Sequence, residues 1–131
     1  MILRGAPVIT LLALAACGDP PARPPSAGPE ARKAVDDATA AYARCIEDRS
    51  RAAPPGGIPG TIVGRAVRAC EPARTVLAAR IAEFRKIGYP NYTNYQLKAV
   101  AEASIQSIEP QMRAAGVIAY VNAVPPETKA P

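Results

Sequence analysis

The side chains best suited to covalent or ligand chemistry in this sequence are three cysteines, Cys17, Cys45 and Cys70. Histidine is absent, so the chain lacks the commonest general base and metal ligand, and a Ser-His or Cys-His nucleophile is excluded. The cysteines also lack the Cys-x-x-Cys spacing that is usual for catalytic redox pairs. We therefore expect no catalytic residue, no metal and no cofactor, and we expect structural or attachment roles for the cysteines.

Pairs of carboxylates could still provide acid–base chemistry without histidine. Asp36 and Asp37 are adjacent on a predicted helix, so their side chains point apart. Glu102 and Glu109 have a spacing that would place them on one helix face. Because charged residues on a helix are most often solvated, we interpret these carboxylates as helix surface and predict that the protein is not an enzyme.

The first residues of the chain have the composition of a secretory signal. Arg4 supplies a positive charge, and residues 6–16 form an uncharged stretch that is too short to span a bilayer as a helix. This stretch ends in Leu14-Ala15-Ala16-Cys17. It resembles the lipobox of bacterial lipoproteins, in which a small residue precedes an invariant cysteine. The resemblance implies cleavage before Cys17, a diacylglyceryl thioether on its sulfur, and acylation of the new amino group.

A bacterial lipoprotein of this kind would face the periplasm and be held to a membrane of the cell envelope by its lipid. Two or three acyl chains anchor stably, because each buried CH₂ contributes about 0.8 kcal/mol. Gly18 stands where an aspartate signals retention in the inner membrane of enteric bacteria, so we favour the outer membrane. The alternative is an ordinary cleaved signal, which predicts that Cys17 stays unmodified.

The chain of 131 residues has room for one small domain. We divide it into a signal peptide at 1–16, a lipidated Pro-rich tether at 17–29, a helical domain at 30–124 and a disordered tail at 125–131. Five prolines of the tether exclude helix and central strand, and predict an extended spacer. No strand-like alternation is evident in the domain, so the predicted fold class is all-α.

Helical periodicity predicts a first helix from Glu30 to about Ala53, which a Pro- and Gly-rich turn ends. Thr61 is expected to N-cap a second helix that stops at Gly88. The pattern continues past Pro72, so we expect a kink at this proline rather than a break.

A third helix is expected to begin with a capping box formed by Thr93 and Gln96. Pro110 either kinks this helix or starts a fourth helix that covers 111–124. In the latter case Val117, Ile118 and Val121 would pack back on the first two helices.

Cys45 and Cys70 predict how the first two helices pair. The midpoint between them falls within the Pro- and Gly-rich turn, so folding the chain back there brings both to the same height on adjacent antiparallel helices. Because an exported protein enters an oxidising compartment, we expect a Cys45–Cys70 disulfide. The predicted architecture is a disulfide-linked antiparallel helical hairpin plus a third helix, which Pro110 either kinks or splits.

Two surfaces could bind a partner. Arg65, Arg68 and Arg74 follow the second helix, in a basic stretch suited to an envelope polyanion or an acidic protein. Tyr89, Tyr92 and Tyr95 occur in one short turn, and tyrosine is enriched at interfaces. The alternatives are a solvated helix face whose charges pair internally, and a tyrosine cluster that seals the end of a bundle poor in aromatic residues.

These features predict a non-catalytic binding or scaffold module in the cell envelope. Its expected partners are the membrane, through the lipid, and an envelope protein; nucleic acid is disfavoured by the compartment. The alternative function is an inhibitor or exclusion factor that acts on an incoming enzyme or conjugation machine. Small exclusion lipoproteins are similar to this chain in size and in carrying a cysteine pair, although the domain has no motif in common with them.

Overall fold

The structure is a computed structural model that describes residues 27–125. The predicted signal peptide, the acylated Cys17, the tether up to residue 26 and the tail from residue 126 lie outside the described residues. Within the described range the chain is helical and contains no strand, so the predicted all-α class is confirmed. The four helices are α1 (Ala27–Arg51), α2 (Pro59–Ala69), α3 (Glu71–Gly88) and α4 (Asn94–Ala123).

Helix α1 begins earlier than the predicted boundary between tether and domain. Its first turn contains Ala27, Gly28 and Pro29, which we had assigned to the tether, and it ends at Arg51. A proline is tolerated in a first turn because its missing N–H has no helical partner there. Pro29 therefore belongs to the helical domain and not to the tether.

The predicted N-cap at Thr61 is wrong, because the N-cap is Ile58, three residues earlier, and α2 starts at Pro59. Pro59 has the φ angle that a first helical position needs, and Ile58 provides the cap. The Ile58 carbonyl accepts hydrogen bonds from the backbone N–H groups of Thr61 at 3.0 Å and Ile62 at 3.1 Å. These are the first hydrogen bonds of the helix itself, and no side chain caps the N-terminus of α2.

The expected kink at Pro72 is a break. Helix α2 ends at Ala69, Cys70 forms the turn, and α3 begins at Glu71. In a continuous helix the ring of Pro72 would clash with the Arg68 carbonyl and leave it without its hydrogen bond. Because α2 ends at Ala69 and α3 begins at Glu71, Pro72 lies in the first turn of α3, where neither cost arises.

The start of the last helix, α4, agrees with the prediction. The capping box is confirmed: the Thr93 hydroxyl accepts from the Gln96 N–H at 3.2 Å, and the Thr93 N–H donates to Gln96 Oε1 at 2.8 Å. Helix α4 then continues through Pro110 to Ala123, so no separate helix begins at Gln111.

The core lies where α1 packs against the other three helices. Its largest fully buried side chains are Tyr42, Ile46, Val63, Cys70, Leu77 and Ile105. In the second half of α4, Val117 packs against this core, but Ile118 is 60% exposed and Val121 37% exposed. Met112, Gly116, Ala119 and Tyr120 are the buried residues there. The prediction that Ile118 and Val121 pack inward is therefore wrong.

The Cys45–Cys70 disulfide is confirmed. It joins α1 to the turn between α2 and α3, with the two Cα atoms 6.0 Å apart. The bond closes a loop of 25 residues, for which the chain-entropy account gives a stabilisation of about 3 kcal/mol. Cys70 is almost completely buried, so the bond is part of the core.

Candidate functional site

The register of the helices defines two ends of the molecule. The Tyr42 hydroxyl lies 3.3 Å from Oε2 of Glu109, which sets the level of α1 against α4. Fifteen residues separate Ala27 from Tyr42, and fifteen separate Asn94 from Glu109, so both helices start about 22 Å from this contact. We call the end that holds Ala27, Gly88 and Asn94 the proximal end.

The opposite, distal end carries the loop between α1 and α2. The hydroxyl of Tyr120, near the end of α4, accepts a hydrogen bond from the Gly57 N–H at 3.0 Å. The same hydroxyl lies 3.3 Å from the carbonyl oxygens of Pro54 and Gly57, which share its single proton. Gly56 has a φ of 88°, a left-handed conformation that glycine adopts without a steric penalty. One buried tyrosine thus holds the distal loop in place.

The distal loop forms one wall of a basic groove of about 480 Å³. Arg49, near the end of α1, and Arg65, in the middle of α2, line this groove together with the backbone of the loop and the apolar side chain of Ile62. The lining residues are Arg49, Ala53, Pro54, Pro55, Gly56, Gly57, Ile62, Arg65, Ala66 and Ala69. No carboxylate is among them, so the groove presents only positive side-chain charge.

Neither arginine of the basic groove forms an ion pair or a side-chain hydrogen bond with any residue from 27 to 125. Arg51, by contrast, is neutralised by Asp48 at 2.8 Å. The difference has a local cause, because Arg49 and Arg65 have no acidic residue three or four positions away along their helices. Both guanidinium groups are therefore free to bind a carboxylate or a phosphate in the groove.

Arg74, which we expected on the partner-binding surface with Arg65 and Arg68, has an intramolecular role instead. Its guanidinium forms a short hydrogen bond with Glu102 and lies 3.6 Å from Oε2 of Glu109, and its side chain is only 19% exposed. Arg65 and Arg68 are both exposed on α2. The structure therefore keeps two of the three predicted arginines on the surface and engages the third between helices.

The Arg74 network also uses the two glutamates that could have formed a carboxylate pair. Hydrogen bonding from Arg74 holds the pKa of Glu102 below its ordinary value. Glu109 contacts Arg74, accepts from Arg113 at 2.7 Å, and lies against the Tyr42 hydroxyl. Burial, followed by the nearby Glu109 carboxylate, raises the pKa of Tyr42 to about 12. These carboxylates serve as ion-pair and hydrogen-bond acceptors between helices.

The predicted tyrosine surface lies at the proximal end, away from the basic groove. The rings of Tyr89 and Tyr92 stack with centroids 4.8 Å apart. Tyr89 is 47% exposed, and Tyr95, in the first turn of α4, is 82% exposed. The structure therefore separates the two surfaces that the sequence offered for partner binding, since Tyr120 and the basic groove occupy the other end.

Arg49 and Tyr120 belong to the basic groove and its loop, but sequence analysis assigned a role to neither. A signal for Arg49 was present, because it lacks an acidic helical neighbour. Tyr120 carried no such signal, since its contacts with the distal loop cross more than sixty residues of sequence.

Comparisons with known proteins identify no relative of this chain. No protein-family model matches the chain, and searches of the curated proteins and of the solved structures find no significant match. Between residues 27 and 125, no helix has the length and apolar character needed to cross a membrane. The same stretch contains no cluster of three or more acidic, cysteine or histidine side chains placed to hold a metal ion.

Proposed function

We propose that this chain is a non-catalytic binding module of a bacterial cell envelope. It is anchored by acylated Cys17, preferentially in the outer membrane, and faces the periplasm. The basic groove is its binding site, and the ligand is an acidic segment of an envelope protein. The observation that carries this proposal is the pair of arginines, Arg49 and Arg65, that line one groove without an acidic partner.

Guanidinium chemistry favours a carboxylate-bearing ligand. The arginine guanidinium is planar, and its N–H groups can donate two parallel hydrogen bonds to one carboxylate in a bidentate geometry. Two arginines on different helices give such a site a fixed spacing, because the disulfide ties α1 to the end of α2. The apolar side chains of Ile62 and Ala66 add a surface for the aliphatic part of the ligand. An acidic peptide with a neighbouring apolar residue fits this combination.

The position of the groove agrees with an anchored, periplasm-facing module. Arg49 lies twenty-two residues after Ala27 along α1, which corresponds to about 33 Å along the helix axis. A chain held by Cys17 reaches the domain at Ala27, so the basic groove is at the end of α1 that is remote from the attachment. A site at that distance from the lipid is accessible to another envelope protein.

Site-specific photo-crosslinking in the original bacterium tests this proposal. A photo-reactive amino acid replaces Ala69, which is exposed and lines the groove, or Thr75, which is exposed on α3 and lines no wall of it. We expect a discrete protein adduct from position 69 and none from position 75. In the double variant Arg49→Glu with Arg65→Glu the adduct should decrease at least tenfold.

The conditions under which the adduct forms distinguish the possible ligands. An adduct from position 69 that persists in the charge-reversal variant would contradict an acidic ligand. The absence of any adduct from position 69, with normal expression and acylation, would contradict the basic groove as the binding site. An adduct that forms only when an incoming enzyme or conjugation machine challenges the cell would assign the protein to the inhibitor class.

A further inference from the structure

The proximal end combines exposed aromatic rings with positive charge. Tyr89 and Tyr95 expose 47% and 82% of their surface, although the chain has few aromatic residues to place. Tyr89 also borders a small apolar cavity of about 220 Å³ that Phe84 and Ile87 line. Tyrosine concentrates at membrane–water interfaces, where its ring contacts the apolar boundary and its hydroxyl stays among polar headgroups.

The charges at this end are mostly positive. Within the two turns of α1, α3 and α4 that lie nearest this end, five Lys or Arg residues face two glutamates. The cations are Arg32, Lys33, Arg85, Lys86 and Lys98, and the acids are Glu30 and Glu83. Arg32 and Lys33 pair with Asp36 and Asp37, one turn further along α1, and Glu83 pairs with Arg80, so the excess positive charge comes from Arg85, Lys86 and Lys98. Arg85 borders the apolar cavity and has no ion-pair partner within the described residues. This arrangement is complementary to an anionic lipid surface.

The path of the chain brings this end close to the proposed anchor. Helix α1 starts at Ala27 on the proximal end, and Cys17 lies ten residues before it. Ten residues span at most about 35 Å even when fully extended. The acylated cysteine would therefore keep the start of α1, and with it the proximal end, within about 35 Å of the headgroups. At the effective concentration that a short linker gives, individually weak contacts are sufficient for association.

We propose that the proximal end rests on the headgroup layer of the anionic bilayer that holds Cys17, with Tyr89 and Tyr95 at the interface and Arg85, Lys86 and Lys98 facing lipid phosphates. The occupant of the tyrosine surface is thus a lipid surface and not a protein. The contact fixes the orientation of the domain, so that the basic groove points away from the membrane. This inference rests on the acylation of Cys17 that the proposed function includes.

The five tyrosines of the chain allow a direct test, because three lie at the proximal end and Tyr120 at the distal end. The acylated full-length mature protein is prepared with 3-fluorotyrosine and inserted into nanodiscs of phosphatidylethanolamine and phosphatidylglycerol. A fraction of the lipids carries a spin label on the headgroup. We expect the fluorine resonances of Tyr89, Tyr92 and Tyr95 to broaden at least twofold more than that of Tyr120.

Variants separate a lipid contact from simple proximity. Arg85→Glu with Lys86→Glu should reduce the extra broadening at least twofold, as should replacing phosphatidylglycerol with phosphatidylcholine. Arg44→Glu, at an exposed position in the middle of α1, is the matched control and should leave it unchanged. Equal broadening of all tyrosine resonances, or broadening that ignores lipid charge, would overturn the inference.

The intact mass of the same sample distinguishes the two proposals. If Cys17 carries no acyl group, both the anchor and the membrane contact are wrong. If Cys17 is acylated and the proximal resonances stay as sharp as that of Tyr120, the membrane contact is wrong and the anchor stands. A discrete protein adduct from a photo-reactive amino acid at position 95 in the original bacterium would assign the tyrosine surface to a protein partner and overturn the inference.

Discussion

Arg74 of α3 and Glu109 of α4 form an ion pair across the helix interface, with Nε of the arginine 3.6 Å from Oε2 of the glutamate. Both side chains are largely withdrawn from water, at 19% and 16% exposed. The Tyr42 hydroxyl of α1 approaches the same Oε2 at 3.3 Å. A core composed mainly of aliphatic side chains thus contains one polar network that joins three helices and fixes their register.

Removal of Arg74 should destabilise the fold more than removal of a surface cation. In Arg74→Met, Glu109 loses a partner inside the interface, and we expect the free energy of unfolding to fall by about 1–3 kcal/mol. Arg80→Met breaks the exposed Arg80–Glu83 pair at 2.8 Å and should cost less than about 0.5 kcal/mol. Urea unfolding with the disulfide intact measures both. Equal losses would contradict a special role for Arg74.

The same network predicts a loss of stability at alkaline pH. Burial and the Glu109 carboxylate raise the pKa of Tyr42 from 10.0 to about 12, so folding favours the protonated phenol. This contribution is fully present below pH 10, the ordinary pKa, and is lost as pH rises toward about 12. Unfolding free energies between pH 9 and 12 should therefore fall more steeply in the parent chain than in Tyr42→Phe. Parallel profiles would refute the assignment.

The sequence predicted the interactions that act over short distances or follow one strong rule. The capping box at Thr93 involves residues that are three positions apart. The Cys45–Cys70 bond was predicted from the position of the Pro- and Gly-rich turn and from the oxidising compartment that we expect for an exported protein. The break at Cys70 was missed because apolar periodicity carries no information on whether the backbone hydrogen bonds continue past Pro72. The pairing of Arg74 with Glu109 depends on the relative height of two helices, which a single sequence does not encode locally.

Gly116 occupies a place where three helices come closest. A Cβ at this position would lie 3.0 Å from Cγ2 of Ile46, 3.1 Å from Oγ of Ser50 and 3.3 Å from Cγ2 of Val63. Oγ of Ser50 is itself buried without a hydrogen-bond partner among the residues described here. The absence of a Cβ at this glycine is therefore what permits α4 to approach α1 and α2.

The substitution Gly116→Ala should destabilise the protein, whereas Gly64→Ala should not. Both glycines are inside helices, so both gain up to about 1 kcal/mol of helix propensity. A Cβ at Gly64 has only the Arg68 side chain within reach, at 4.0 Å, but at Gly116 overpacking costs about 1–3 kcal/mol. Thermal unfolding should rank Gly64→Ala above the parent chain and Gly116→Ala below it. A stabilised Gly116→Ala would show that the interface has room.

The Tyr120 hydroxyl should control the distal loop. In Tyr120→Phe the Gly57 N–H loses its partner at 3.0 Å, so local opening should become easier by about 1 kcal/mol and amide exchange at Gly57 several-fold faster. Tyr95→Phe removes a hydroxyl from a ring that is 82% exposed and is the matched control. Hydrogen exchange at the amides of residues 56–58 reports the effect, and unchanged protection in Tyr120→Phe would show that the Tyr120 hydroxyl does not hold the loop.

Attachment through Cys17 is the claim on which both the binding module and its orientation depend. The most direct test is the intact mass of the mature protein purified from bacterial membranes, combined with labelling by radioactive palmitate. We predict a chain that begins at Cys17 and carries acyl groups on its sulfur and its amino group. A mature chain with an unmodified cysteine at this position, or one that retains residues 1–16, would contradict the account.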